Sequence, residues 1–592
     1  MLPESAAALG NFREEVKPGQ VSSVSALKDT ENKWVLQAED KANLNVDTFS
    51  KKCFLNAVEV NEYSKLPAIS HRPQGRLKSL LEKNAEDVMD KLQVDSGTGP
   101  DLLPARILKY CAAALAKPVL LLTMSILAAG VWPELWRQHW ITPLFKKKSV
   151  YNPGNYRGIH LTAQLSKVVE RLLKLLYDPY LASSTAFGPS QFAYSVGRGA
   201  RDALALLALT WVKALAAGSK IAVYCSDVSG AFDRVRMERL VAKLKNKGLN
   251  SQIVAVLASW LQQRAAHVVV EGTSSKDMTL INMVFQGTVT GPLLWNLFFE
   301  DARHAINDCF YKEVVFADDL NAYRVFPSAT ENSAIKESLN NCQQELHKWG
   351  AANQVAFDAG KESQHVLSLS DPEGSMFKIL GVPFDTELTM ANAVSELVLS
   401  AGWKLRTLLR TRRFYTDADL IILYKAHLLS YLEYRTPAIY HATRAELCRL
   451  DAVQSRLLRD VGVDDITALV NFRLAPLSTR RDIAMLGLIH RTVLSKGPEQ
   501  FTVFFRRDPD HPAKLIDPRS ASKSPLNKSA ALGLVAIYNL LPHSVVSAKC
   551  VSVFQKRLQQ IIASLAVANH PQWSDALSPR LPLTQHPLTT LP

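Results

Sequence analysis

The sequence predicts an α+β fold, and three observations predict it. From about 100 to 385, short β-rich runs such as Ile221-Ala222-Val223-Tyr224 and Val268-Val269-Val270 alternate with helical patterns. After about 388 the chain reads as almost wholly helical, with stretches at Ala391 to Leu409, Ala418 to Leu432 and Ala445 to Leu458. Finally, 592 residues with 47% apolar and 21% charged content have the composition of a folded chain of about two to four packed units.

The elements follow in order. Residues 1–95 are polar, mixed in charge and weakly periodic, a leader that is partly helical (Leu77 to Leu92) or disordered. Their length is too short for a separate nuclease domain of ordinary size. The cluster Asp95-Ser96-Gly97-Thr98-Gly99-Pro100 marks a boundary. Helical patterns follow at Leu102 to Ala129 and Thr162 to Leu176. The longest apolar run, Pro118 to Gly130, is shorter than a bilayer span and reads as a buried helix. Residues 571–592 carry five prolines and are expected to be disordered.

The net charge of +14 suits a polyanionic partner, although a basic but ordinary surface gives the same figure. The seven cysteines are scattered, without CxxC or Cys/His spacing, which disfavours a zinc knuckle or a disulfide scaffold and fits a reducing compartment. Met1-Leu2-Pro3-Glu4-Ser5 opens no signal peptide. The expected location is therefore intracellular, nucleus or cytoplasm, with no membrane partner. Nothing in the sequence speaks to oligomeric state.

Three carboxylates stand at strand ends. Asp227 closes the apolar run Ile221 to Ser226, and Asp318-Asp319 form the tip of an expected hairpin, Val314 to Ala317 running in and Leu320 to Val325 running out. Adjacent carboxylates repel unless cations lie between them, and Mg²⁺ takes a few carboxylates plus waters and phosphate oxygens. An Asp-Asp pair is more often a turn or a helix cap. Asp464-Asp465 has no β-run before it and reads as such a cap.

With these residues in view, Ser226-Asp227-Val228-Ser229-Gly230-Ala231-Phe232-Asp233, Gln286-Gly287-Thr288-Val289-Thr290-Gly291-Pro292 and Phe316-Ala317-Asp318-Asp319 resemble motifs A, B and C of reverse transcriptases, in order. The resemblance is to non-LTR (LINE-type) retrotransposon enzymes. It covers roughly residues 95 to 390 and weakens towards 460.

What the resemblance implies is a right-hand polymerase. It divides the chain into a leader (1–95), fingers and palm with an antiparallel palm sheet (96–387), a thumb-like helical region (388–470), a further helical region (471–570) and the proline-rich tail (571–592). Asp227, Asp318 and Asp319 would hold two Mg²⁺ ions, or Mn²⁺, against the primer 3′-hydroxyl and the leaving pyrophosphate. In the fingers segment, Lys146 and Arg157 would grip the incoming triphosphate. Phe232, five residues after Asp227, would pack under the sugar and reject a 2′-hydroxyl. Gln286 and Gly287 would touch nucleotide and template, the glycine allowing close backbone approach. Lys361, in the segment of Trp349, Asn353 and Phe357, would protonate the leaving group. Phe377 to Val382 resembles the primer grip.

The chain departs from the family pattern at Gly158 (usually Pro), Ser195 (commonly basic) and Asp358 (usually Asn). Beyond it, Lys404, Arg406, Arg410, Arg412 and Arg413 form a basic stretch without an acid, suited either to a duplex backbone or to a solvated helix face. The expected function is RNA-directed DNA synthesis, with an RNA template, a DNA primer and dNTPs as partners. The alternative is a catalytically inactive, retroelement-derived RNA-binding protein. An RNA-dependent RNA polymerase is disfavoured by Phe232 and Ala317.

Overall fold

The computed structural model describes residues 24–55, 73–183, 186–511, 514–517 and 524–590. The leader expectations at 1–23 and 56–72, and the last two tail residues, lie outside the described residues. The chain divides into two compact units that are discontinuous in sequence, one of residues 1–189, 229–300 and 350–356, the other of residues 190–228, 301–349 and 357–592.

In the first unit, the strand Gln138–Phe145 pairs antiparallel with Tyr156–Leu161 and parallel with Arg264–Val270, which also carries Thr273–Ser274 and Met278–Leu280. The helix Ala38–Lys52 packs on Arg264–Val270, burying Ala42, Val46 and Phe49. The helix Glu82–Asp90 packs on Ala112–Ala129.

That last helix lies within the helical pattern expected from Leu102 to Ala129, but is less buried than the apolar run suggested. It starts six residues before Pro118, takes the proline inside, and ends at Gly130 in the left-handed region (φ +68°). It buries one stripe, including Val119, Thr123 and Ile126, and leaves Leu121 and Met124 exposed. Among the described residues it is the one helix long and apolar enough to cross a membrane, by length and composition alone.

The second unit is built on a four-stranded antiparallel sheet in the order Lys312–Phe316, Asp319–Phe326, Lys220–Ser226, Ser363–Leu367. Every residue of Lys220–Ser226 is buried, as expected for an apolar run covered on both faces. The helix Ala200–Ala216 packs on this sheet. The core runs on into the helices Ala391–Arg410, Arg444–Val461 and Leu477–Val493. The stretch expected as one helix from 418 to 432 is Asp417–Tyr424, a π-helical turn Lys425–Leu429 and Ser430–Tyr434. Asp464 caps its helix as read, accepting from the N–H groups of Ile466 and Thr467.

The proline-rich tail is ordered over its described part, contrary to expectation. Residues 573–590 form short 3₁₀ turns that bury Ala576, Leu577 and Leu588. Arg580 Nη2 donates to the carbonyls of Tyr440 (2.6 Å), Ser529 (3.1 Å) and Ala442 (3.2 Å). Proline suits such turns, because its fixed φ costs no hydrogen bond where no ladder is required.

Candidate active site

In the second unit, sheet register places the carboxylates. Ser226 pairs with Leu320, so the next residues, Asp227 and Asp319, stand at neighbouring ends of adjacent strands. Phe316 pairs with Asp319, leaving Ala317 and Asp318 as a two-residue turn. Ala317 takes φ +60°, a left-handed conformation costing roughly 1 kcal/mol in a residue with a Cβ.

A residue missed by sequence reasoning holds this turn. Buried Gln191 accepts from the N–H of Ala317 (3.0 Å) and of Ala193 (2.9 Å) through Oε1, and donates from Nε2 to the carbonyl of Ala317 (3.4 Å). Its own backbone segment is fastened separately, with Phe192 N–H to Val315 O and Val315 N–H to Ser190 O, both 2.9 Å.

The electrostatics are those of crowded negative charge. Burial first, then the charges of Asp318 and Asp227 and a hydrogen bond to Asp227, push the Asp319 carboxyl up to about 7. Lys361 stands against this charge, paired with Asp227 and, at 3.1 Å, with Asp358. Asp358, the departure from the usual Asn, also donates its N–H to Asp227 O at 2.9 Å. These partners raise the affinity of Lys361 for its proton, against the opposing effect of burial. Asp227, Asp318, Asp319 and Lys361 are thus brought together. Among the described residues, however, no three His, Cys, Asp or Glu side chains are arranged as a ready metal-ligand set. The donor chemistry still fits a hard divalent cation, three carboxylates in partial burial with an ammonium group where a cation is called for.

In the first unit, Lys146 and Arg157 lie on the hairpin formed by Gln138–Phe145 and Tyr156–Leu161. Lys146 N–H donates to Asn155 O (2.9 Å), and Arg157 pairs with Leu144. Gly158, opposite Pro143, has no room for a larger residue in this backbone, since a Cβ would meet Ile141 Cγ2 at 2.8 Å. Phe232 is buried and stacks on Trp295, ring centroids 5.8 Å apart, so its first role is in packing. Gln286 O accepts from His160 N–H (2.7 Å). Gly287 (φ +103°) would place a Cβ 2.6 Å from His160 O. The hairpin strand by itself therefore requires glycine at this position.

The motif B segment has a support that the sequence did not reveal. Buried Glu170, on the helix Gln164–Ser183, accepts from the N–H groups of Val289 and Thr290, both 2.9 Å, at the start of the helix Gly291–Phe299. A carboxylate there satisfies otherwise unpaired donors and meets the positive end of the helix dipole.

The sequence also matches known proteins. Residues 145–384 match the family model described as reverse transcriptase (RNA-dependent DNA polymerase). The chain is 24% identical over 425 residues to the RNA-directed DNA polymerase from mobile element jockey of Drosophila melanogaster, covering 68% of this chain and 46% of that protein. It is 26% identical over 358 residues to the Pol polyprotein from the type-1 retrotransposable element R1 of Bradysia coprophila (58% and 33%). A probable RNA-directed DNA polymerase from transposon X-element of Drosophila melanogaster is 23% identical over 395 residues (63% and 43%). The chain spans less than half the length of each of these relatives. Residues 145–384 are a reverse transcriptase domain, of the kind carried by non-LTR mobile elements.

Proposed function

We propose that this chain is an RNA-directed DNA polymerase of a non-LTR retrotransposon, adding dNTPs to a primer 3′-hydroxyl on an RNA template. The observation that carries the reading is the convergence of Asp227 and Asp319 at adjacent strand ends, with Asp318 in the turn beside them and negative charge left over. Asp227, Asp318 and Asp319 would hold two Mg²⁺ ions, which supply an activated 3′-oxygen and charge relief at the pyrophosphate. In the free protein, Lys361 neutralises Asp227. In the reaction the same ammonium is the general acid for the leaving group. Lys146 and Arg157 bind the triphosphate, the arginine through its planar fork. Phe232, fixed by its stack on Trp295, offers a rigid edge to the sugar. Gln286 is held by its backbone bond to His160.

The second unit offers a surface for the nucleic acid. On and after the helix Ala391–Arg410, Arg406 lies over exposed Trp403 (5.0 Å) and Arg413 over exposed Phe414 (4.7 Å). Interleaved cations and open aromatic faces suit phosphates and stacked bases.

Primer extension on poly(rA)·oligo(dT) tests the reading. Mg²⁺-dependent incorporation of dTTP in preference to UTP is expected. RNA binding with steep salt dependence but no extension would instead leave an RNA-binding protein without catalysis.

A further inference from the structure

The helix Ala38–Lys52 brings a third cation to the hairpin that carries Lys146 and Arg157. Lys52 Nζ donates to the carbonyls of Tyr156 (3.2 Å) and Gly154 (3.4 Å), and lies 5.1 Å from the centre of the Phe49 ring. Tyr156 immediately precedes Arg157 and pairs across the hairpin with Phe145, which immediately precedes Lys146. Two backbone carbonyls occupy two of the three ammonium donors and leave the third free of a carbonyl partner.

The neighbouring carboxylate is Asp233. It is buried deeply enough that burial is the leading effect on its carboxyl, opposed in order by Lys52, Lys146 and Arg157. Lys52 in turn is disfavoured as a cation by burial first and by Lys146 second. Lys52, Lys146 and Arg157 thus lie within electrostatic reach of the same carboxylate.

We propose that Lys52 is a ligand of the incoming triphosphate, the third cation of a cradle with Lys146 and Arg157. This rests on the reading of Lys146 and Arg157 as triphosphate ligands. It assigns the helix Ala38–Lys52 a direct part in substrate binding, where a leader segment carried no chemistry. The ligand class is a polyphosphate ester, recognised by its chain of anionic oxygens. Nucleotide base and sugar play no part in the recognition by Lys52.

The test uses the full chain with metal removed, titrated with inorganic tripolyphosphate by calorimetry, alongside dTTP steady-state kinetics. Lys52→Gln is expected to weaken tripolyphosphate binding about tenfold and to raise the dTTP KM by a similar factor, as loss of one charge-assisted contact does. Its kcat should stay within about twofold of wild type, because the contact exists before the chemical step. Lys52→Arg should recover most of the binding. Tripolyphosphate affinity and KM unchanged in Lys52→Gln would overturn the proposal. So would a wild type that does not bind tripolyphosphate, or a lowered melting temperature in Lys52→Gln and Lys52→Arg alike that accounts for the lost binding. A wild type that binds tripolyphosphate through Lys52 but extends no primer would sink the polymerase reading and leave the cradle standing. One that extends primers with indifference to Lys52 would sink the cradle alone.

Discussion

Gln191→Ala isolates the side chain that holds the Ala317-Asp318 turn. In the native protein, Gln191 Oε1 satisfies two backbone donors, Ala317 N–H at 3.0 Å and Ala193 N–H at 2.9 Å. Alanine at this 5% exposed position leaves both without that acceptor. At roughly 1–2 kcal/mol for each stranded donor, the local penalty is about 2–4 kcal/mol. Both hydrogen bonds lie at the turn itself, so the penalty falls on opening of the turn before it falls on the whole unit. Hydrogen exchange on a peptide spanning 312–326 reads this directly. Opening made easier by about 2–4 kcal/mol speeds exchange of the Ala317 amide by about 30- to 1,000-fold. The backbone bonds of Phe192 and Val315 do not involve the side chain, so exchange there should change little. In primer extension the variant should lose kcat rather than dTTP affinity, because the turn carries Asp318. Exchange at Ala317 within about twofold of wild type would refute the reasoning, since the two hydrogen bonds would then contribute nothing.

Other outcomes follow from the same structure. Glu170→Ala strands the N–H groups of Val289 and Thr290 and should destabilise the first unit by about 2–4 kcal/mol in urea denaturation, whereas Glu170→Gln, which keeps an acceptor and loses the charge, should cost about 1 kcal/mol. Lys361→Gln should lower single-turnover extension about tenfold or more if the lysine is the general acid, with little change in primer–template binding by anisotropy. Asp482 is buried and its carboxyl is pushed up to about 7 by that burial, while Tyr440 O–H donates to it. A folded-state value above the ordinary 3.8 means that its stabilising contribution is complete below 3.8 and is lost as pH rises towards 7. The melting temperature of wild type relative to Asp482→Asn should therefore fall from pH 4 to pH 8. A constant difference would show that Asp482 does not titrate in this window.

The parts of the site that could be read from sequence are those whose chemistry is local. The apolar run into Asp227 and the apolar run into Asp318-Asp319 each lie within a single element, and the sheet register brings the acids together, although the turn is Ala317-Asp318, one residue earlier than the expected tip Asp318-Asp319. Gln191, Glu170 and Lys52 were invisible for the converse reason. Their partners lie 126, 119 and 104 residues away, and no short spacing records such contacts. Gly287 shows a subtler limit. The need for glycine was legible, but the group that crowds it, His160 O, belongs to another element. Composition misled at the tail, where prolines that suggest disorder sit in turns pinned by Arg580. The apolar run from Pro118 marked only part of its helix, which begins at Ala112 within the helical pattern read from Leu102 to Ala129 and takes the proline inside.

The carboxylates themselves are tested most directly by measuring Mg²⁺-dependent dTTP incorporation on poly(rA)·oligo(dT) for wild type and Asp318→Asn side by side, with exchange at Ala317 confirming that the turn is intact. The account predicts processive extension by the wild type and a loss of at least about a thousandfold in the variant, which keeps the shape of the turn and removes one charge from the metal-binding set. Equal incorporation by the two proteins would contradict it.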